Sequence, residues 1–250
     1  NTALAGSSME KLSTGLRITK AGDDAAGLAV SEKMRAQIRG MEQAERNVQD
    51  GISMVQTAEG ALEEAGNIAQ RMRELGVQAG NDTLSDDDRT KVKEELKQLQ
   101  DEMKKISEET KFNGKQLLNT AGTFTIQAGA NSETRKIETA DLSSIANGLS
   151  TISVSSSTDA QGFVTKVDNA LKLINNARSN LGAMQNRLEY TANNLTTSTE
   201  NLTAAESRIR DVDVAKEMVT LSKLNILNQA SQAMVSQAKQ QPESVSQLLR

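Results

Sequence analysis

Seven large aliphatic residues, Val167, Ile174, Leu181, Leu188, Leu195, Leu202 and Ile209, stand at intervals of seven. Three places after each come Ala170, Ala177, Met184, Thr191, Ser198, Ala205 and Val212, most of them small. A seven-residue repeat holds one stripe of a helix against a partner over many turns. Alternating large and small residues in that stripe lets the helices approach closely. At 1.5 Å per residue the run spans roughly 60 Å. Each large residue stabilises by about 1.5–3 kcal/mol when buried, so the seam supplies on the order of 10–20 kcal/mol before the entropy of ordering is subtracted. An isolated helix has nothing to bury such a stripe against. The pattern predicts a mainly α fold in which long heptad-patterned helices form an antiparallel bundle or coiled coil.

Shorter seams say the same elsewhere. Ala5, Met9, Leu12 and Leu16 are spaced 4, 3 and 4, which marks one face of a first helix. Gly15 to Gly27 interrupts it with Gly22, Asp23, Asp24 and Gly27, an irregular connector in which Asp23 or Asp24 is placed to cap the next helix. From Met34 the pattern continues through Ile38, Met41, Val48, Ile52, Val55 and Leu62, then Ile68, Met72 and Leu75 after a shift of register, and should end near Gly80-Asn81-Asp82. Ser85-Asp86-Asp87-Asp88 opens a further helix, with acids where the helix dipole favours them and a seam of Val92, Leu96, Leu99, Met103 and Ile106. More than half of Ser85 to Lys111 is charged, so most of that helix faces water.

Residues 119–162 differ, being rich in Ser, Thr, Ala and Gly. Alternation at Phe124-Thr125-Ile126 and at Ile152-Ser153-Val154 predicts two short strands of a small β-hairpin region. From Met218 the surface pattern inverts. Between Met218 and Ala238 the only charge is Lys223, and apolar residues spread around the helix. Residues 1–9 also carry no side-chain charge. Both ends expose too much apolar surface to stand alone, which predicts pairing with each other and with further copies.

Composition narrows the chemistry. The chain has no His and no Cys, which removes Cys/His zinc sites, thiol nucleophiles and histidine acid–base work. Asp23-Asp24 and Asp86-Asp87-Asp88 lack the alternating pattern and closing Glu of a calcium loop and read as caps. No metal, cofactor or enzymatic role is expected. The net charge of −4 comes from 33 acidic and 29 basic residues, well mixed. With three Phe, one Tyr and no Trp, there is neither a basic stripe nor a stacking platform for nucleic acid. No run approaches the roughly 20 apolar residues that span a bilayer, and no cationic start with an apolar centre marks a signal peptide. Composition alone points to the cytoplasm. Ser155-Ser156-Ser157-Thr158 reads as a polar loop, and as an acceptor of O-linked sugars only if that loop is an outer surface.

Four stretches resemble bacterial flagellin. They are Lys11-Leu12-Ser13-Thr14-Gly15-Leu16-Arg17-Ile18 with Gly22-Asp23-Asp24-Ala25-Ala26-Gly27-Leu28-Ala29; Gln70-Arg71-Met72-Arg73-Glu74-Leu75; Phe112-Asn113-Gly114-Lys115; and Glu200 to Asp213, which reads ENLTAAESRIRDVD. The ending Leu248-Leu249-Arg250 is similar too. The resemblance covers nearly the whole chain, in order, with almost no room for bulky outer domains. It implies a minimal flagellin: a structural subunit of the flagellar filament, exported without a cleaved signal peptide and polymerised outside the cell for motility.

The resemblance also implies an organisation and partners. Residues 1–25 would be a coiled-coil segment and connector, 26–118 the first rod helices, 119–162 the hairpin region, 163–215 the returning rod helix and 216–250 the second coiled-coil segment. Asn1 already lies inside a helical pattern, so more helix is expected upstream. The implied partners are copies of the same chain, a flagellar secretion chaperone before export, and a host Toll-like receptor. Met218, Leu221, Ile226, Leu227, Met234, Leu248 and Leu249 would serve assembly and the chaperone, while Arg71, Leu75 and Glu95 match receptor-contact positions. The alternative within the family is a hook–filament junction protein, which shares these ends. A signalling coiled coil of the chemoreceptor type would need a membrane span and two matched arms, and the sequence has neither.

Overall fold

Helices α1 (Thr2–Thr14), α2 (Ala25–Ala79) and α3 (Asp86–Glu109) come first in the chain. Strands β1 (Lys111–Phe112), β2 (Lys115–Gln116), β3 (Gly122–Gln127) and β4 (Thr134–Thr139) follow, then α4 (Leu142–Gly148), α5 (Ser157–Arg210) and α6 (Val214–Leu248). The computed structural model describes residues 1–249. They form two units, one of residues 40–197 and one of residues 1–39 with those from Ser198 onward.

In the unit of residues 40–197 the core lies between α2 and α5. Val167, Ile174, Leu181, Leu188 and Leu195 are buried, facing a set from α2 that includes Val48, Val55, Leu62 and Met72. Of the small residues three places on from these, Ala170 is buried, and further along Ala192 is buried where strict heptad counting expects Thr191. A straight helix drifts by ~20° per heptad, so the facing position moves on by one residue along the run. Cross-links fix the direction of packing. Arg73 pairs with Asp168 at 2.6 Å, Arg178 with Glu59 at 2.7 Å, and Thr196 donates to Glu45 at 2.9 Å. Numbers fall along α2 as they rise along α5, so the two helices are antiparallel.

The helix α3 starts as its sequence requires. The Ser85 hydroxyl accepts from the Asp88 N–H while the Asp88 carboxylate accepts from the Ser85 N–H, a complete capping box. Its seam buries Val92, Leu96 and Met103 in the same core. β1 and β2 form a minimal hairpin around Asn113 (φ 51°) and Gly114 (φ 75°). Two successive positive φ values are what a tight two-residue hairpin turn needs, and Asn-Gly supplies them at little cost.

The second hairpin corrects the sequence reading. β3 contains the expected Phe124-Thr125-Ile126, but its partner is Thr134–Thr139, in a register running from Gly122 opposite Thr139 to Gln127 opposite Thr134. Ile152-Ser153-Val154 is not a strand. It is the link from α4 to α5, where Val154 is buried in the core and Ile152 packs half-buried against it. The hydroxyls that follow are used by the start of α5: Ser156 accepts from the Asp159 N–H and Ser155 donates to the Asp159 carboxylate. β4 escaped notice because only Ile137 in it is a large apolar residue, and it is fully buried. The short α4, capped by Asp141 through the Ser144 N–H, was also not foreseen.

In the other unit, α1 ends at Gly15, whose φ of 70° is a left-handed cap suited to glycine. The chain then meets the α5–α6 junction. The Arg17 N–H donates to the Arg210 carbonyl at 2.6 Å and the Val212 N–H to the Gly15 carbonyl at 3.0 Å, an isolated antiparallel bridge. Asp24 caps α2 through the Gly27 N–H at 2.8 Å, and Asp213 caps α6 through the Lys216 N–H at 3.2 Å. α1 and α6 therefore leave this junction side by side and antiparallel.

Candidate assembly surface

α6 is 35 residues long and buries none of them. Its half-buried residues, Glu217, Leu221, Leu224 and Asn228, repeat at spacings of 4, 3 and 4 and form the stripe that meets α1. Across that contact the Ser8 hydroxyl donates to Glu217 Oε1 at 2.5 Å, and Ser8 is the one buried residue of α1. At 1.5 Å per residue α1 covers about 20 Å of a helix about 52 Å long. From Gln229 to Leu249 every residue is exposed.

The exposed part is apolar where a solvated helix would be charged. Met218, Val219, Ile226 and Leu227 line a shallow groove of about 470 Å³, with Ser222 and Lys223 at its edge. Ile226 is 66% exposed, Met234 71% and Leu248 86%. Of the residues picked from the sequence, Met218, Ile226, Leu227, Met234, Leu248 and Leu249 face solvent, whereas Leu221 turns toward α1. Arg250 lies outside the described residues. A soluble chain rarely leaves so large an apolar surface uncovered unless another chain covers it. No helix of the described residues is long and apolar enough to cross a membrane.

The second set of residues picked from the sequence lies in the unit of residues 40–197. Arg71 donates to Glu95 Oε1 at 3.0 and 3.2 Å and to Glu74 at 3.2 Å. Its bonds to Glu74 first, and to Glu95 next, raise the guanidinium pKa above its ordinary value. Arg71 and Glu95 thus share an exposed cluster between α2 and α3. Leu75 does not join them: it is 2% exposed and part of the core. Among the described residues no cluster of three or more acidic side chains is placed to hold a metal ion. Asp23 accepts from the N–H groups of Thr19 and Lys20, and Asp88 is the capping-box acid, so both are occupied with backbone.

Comparison with known proteins gives this surface its context. A family model described as the bacterial flagellin N-terminal helical region matches residues 1–123, and one described as the C-terminal helical region matches residues 164–249. A flagellin of Halalkalibacterium halodurans is 56% identical over an alignment of 246 residues that covers 97% of this chain and 90% of that protein. The chain belongs to the flagellin family. Another relative, a flagellar filament 33 kDa core protein of Treponema phagedenis, is 45% identical and covers 97% of this chain and 91% of its own length. The crystal structure of Bacillus cereus flagellin matches with a TM-score of 0.56 at 34% identity, over 64% of this chain and 94% of that one. The hairpin of β3 and β4 falls mostly in the stretch between the two matched regions.

Proposed function

We propose that this flagellin is the structural subunit of a flagellar filament, polymerised outside the cell for motility. The observation that carries it is α6, a 35-residue helix with no buried residue and an apolar surface. Such a helix gains its stability from partners: an isolated helix is marginal in water, and the entropy of ordering it is offset only when copies pack together. One relative is named flagellin and the other a filament core protein, which favours the filament over the hook–filament junction. The role is packing, without chemistry at any one site.

The family resemblance implies two further partners, one for α6 and one for the cluster of Arg71 and Glu95. Before export, a secretion chaperone would cover the exposed groove of α6, since a low-charge helix face suits a helix-in-groove partner. Outside, the cluster of Arg71 and Glu95 is the part of the implied Toll-like receptor contact that stands in solvent. Leu75, being core, would act by holding that cluster in place. The filament reading is tested by seeding the purified full-length protein with sheared native filaments and imaging the product. Long helical filaments are expected; protein that stays monomeric under seeding would sink the reading.

A further inference from the structure

Two surfaces of the unit of residues 40–197 carry side-chain charges that none of its ion pairs neutralises. The first is a groove of about 550 Å³ between β4 and α5, lined by Arg135, Lys136 and Arg187 with Glu138, and floored by Met184. Three cations stand there against one carboxylate. The second lies along α2 and presents Glu42, Glu45 and Asp50 with Arg46, three carboxylates against one cation. Among the described residues, Glu42, Asp50, Lys136 and Arg187 make no ion pair within the chain, although all four are exposed. Glu45 accepts from Thr196, and Arg46 donates to Gln43.

The two surfaces point in different directions. At about 100° per residue, Gly40, Asn47 and Gly51 share one line along α2. The hairpin rests on that line: Gly40 is against Ala130, the Asn47 side chain donates to the Gln127 carbonyl at 3.2 Å, and Gly51 is against Ile126. Glu42, Glu45, Arg46 and Asp50 centre on the opposite side of the helix. The basic groove, built partly by the hairpin itself, and the acidic back of α2 are therefore on opposed faces of one unit.

Complementary patches on different faces make a heterologous contact, which leaves a free patch at each end and builds open helical arrays wherever the rotation between copies does not close a ring; a self-complementary patch closes a dimer. We propose that the groove formed by Arg135, Lys136 and Arg187 receives the acidic back of α2, around Glu42, Glu45 and Asp50, from a second copy of this chain. The contact rests on the filament reading and adds to it a specific join outside the terminal helices. α6 supplies apolar area with little direction, and this join supplies orientation. Opposite charge steers and orients copies more than it adds raw affinity, and it weakens as salt rises.

Charge reversal tests the pairing in a way simple misfolding does not imitate. The variant Lys136→Glu/Arg187→Glu makes both surfaces acidic, and Glu42→Lys/Asp50→Lys makes both basic. Each alone should leave at least tenfold more unpolymerised protein at steady state than the unaltered chain. An equimolar mixture of the two should recover, because each variant's altered surface then meets its complement. Either variant assembling alone as well as the unaltered chain, or a mixture no better than its parts, overturns the pairing. If the unaltered chain does not polymerise, the filament reading falls separately, and the pairing is read by cross-linking. The natural sequence has no Cys, so Lys136→Cys and Glu42→Cys variants, mixed and oxidised, should give the mixed disulfide dimer above either homodimer. Homodimers alone would overturn it.

Discussion

Asp23 holds a turn of the connector between α1 and α2 by accepting from the Thr19 N–H, the Thr19 hydroxyl and the Lys20 N–H. The Thr19 backbone first, then its hydroxyl and the Lys20 backbone, lower the carboxyl pKa from its ordinary 3.8. A depressed folded-state pKa contributes stability above the ordinary value and loses it as pH falls through the depressed one. Asp23→Ala should therefore speed amide exchange at Thr19 and Lys20 at neutral pH. The gap from the unaltered chain should begin to narrow as pH falls below about 3.8 and close only below the depressed folded-state value, where Asp23 protonates; a gap that persists once Asp23 is protonated would mean the turn is held by something else. The sequence marked Asp23 and Asp24 jointly as cap candidates, and the structure divides the work between a turn and a cap. Nothing in the sequence could have put Arg17 on the last turn of α5, where its guanidinium donates to the Ile209 carbonyl at 2.7 Å. That contact joins residues far apart in the chain and leaves no local pattern. The proposed receptor contact rests on Arg71. Arg71→Ala removes the exposed guanidinium and leaves Leu75 packed, so soluble monomer should signal through a Toll-like receptor with a dose response shifted severalfold to higher concentration. An unchanged dose response would rule the cluster out.

At the scale of elements, legibility followed periodicity. α5 was readable because a repeat of seven over six intervals has few other meanings, and α3 because its capping signal precedes its seam. The strands were harder. Ile152-Ser153-Val154 alternates as well as Phe124-Thr125-Ile126 does, yet only the latter pairs. A three-residue alternation is satisfied by any extended segment that packs alternate side chains inward, as Ile152 and Val154 do without strand pairing. β4 carries Arg135, Lys136 and Glu138 on a strand whose far side lies on the helices, so its charges masked its period of two. The glycines of α2 held the missing signal. A Cβ on Gly40 would stand 2.8 Å from the Ala130 Cβ and 3.1 Å from its Cα, so the hairpin's turn approaches the helix more closely than any other residue would allow. Gly40 and Gly51, eleven residues apart on one side of a long helix, are the trace of that hairpin in the sequence.

For the whole molecule, the division of labour between core and ends carries a last prediction. None of the residues that build the core around α2 and α5 comes from α6, and α6 meets its own chain through the stripe facing α1. Ending the chain at Asp213 therefore removes the assembly surface while leaving that core untouched. The main thermal transition should move by less than about 2 °C, since a shift of that size corresponds to under about 1 kcal/mol in a chain of this length. Filament growth should stop, and capture by the secretion chaperone should fall to background, because the low-charge groove of Met218, Ile226 and Leu227 goes with the helix. A large drop in melting temperature would show that α6 is part of the folding unit and not an appendage held for partners. Undiminished chaperone capture would move the chaperone's site elsewhere. The two readouts separate because they depend on different contacts: stability on side chains already buried in the monomer, and assembly and capture on side chains that the monomer leaves in water.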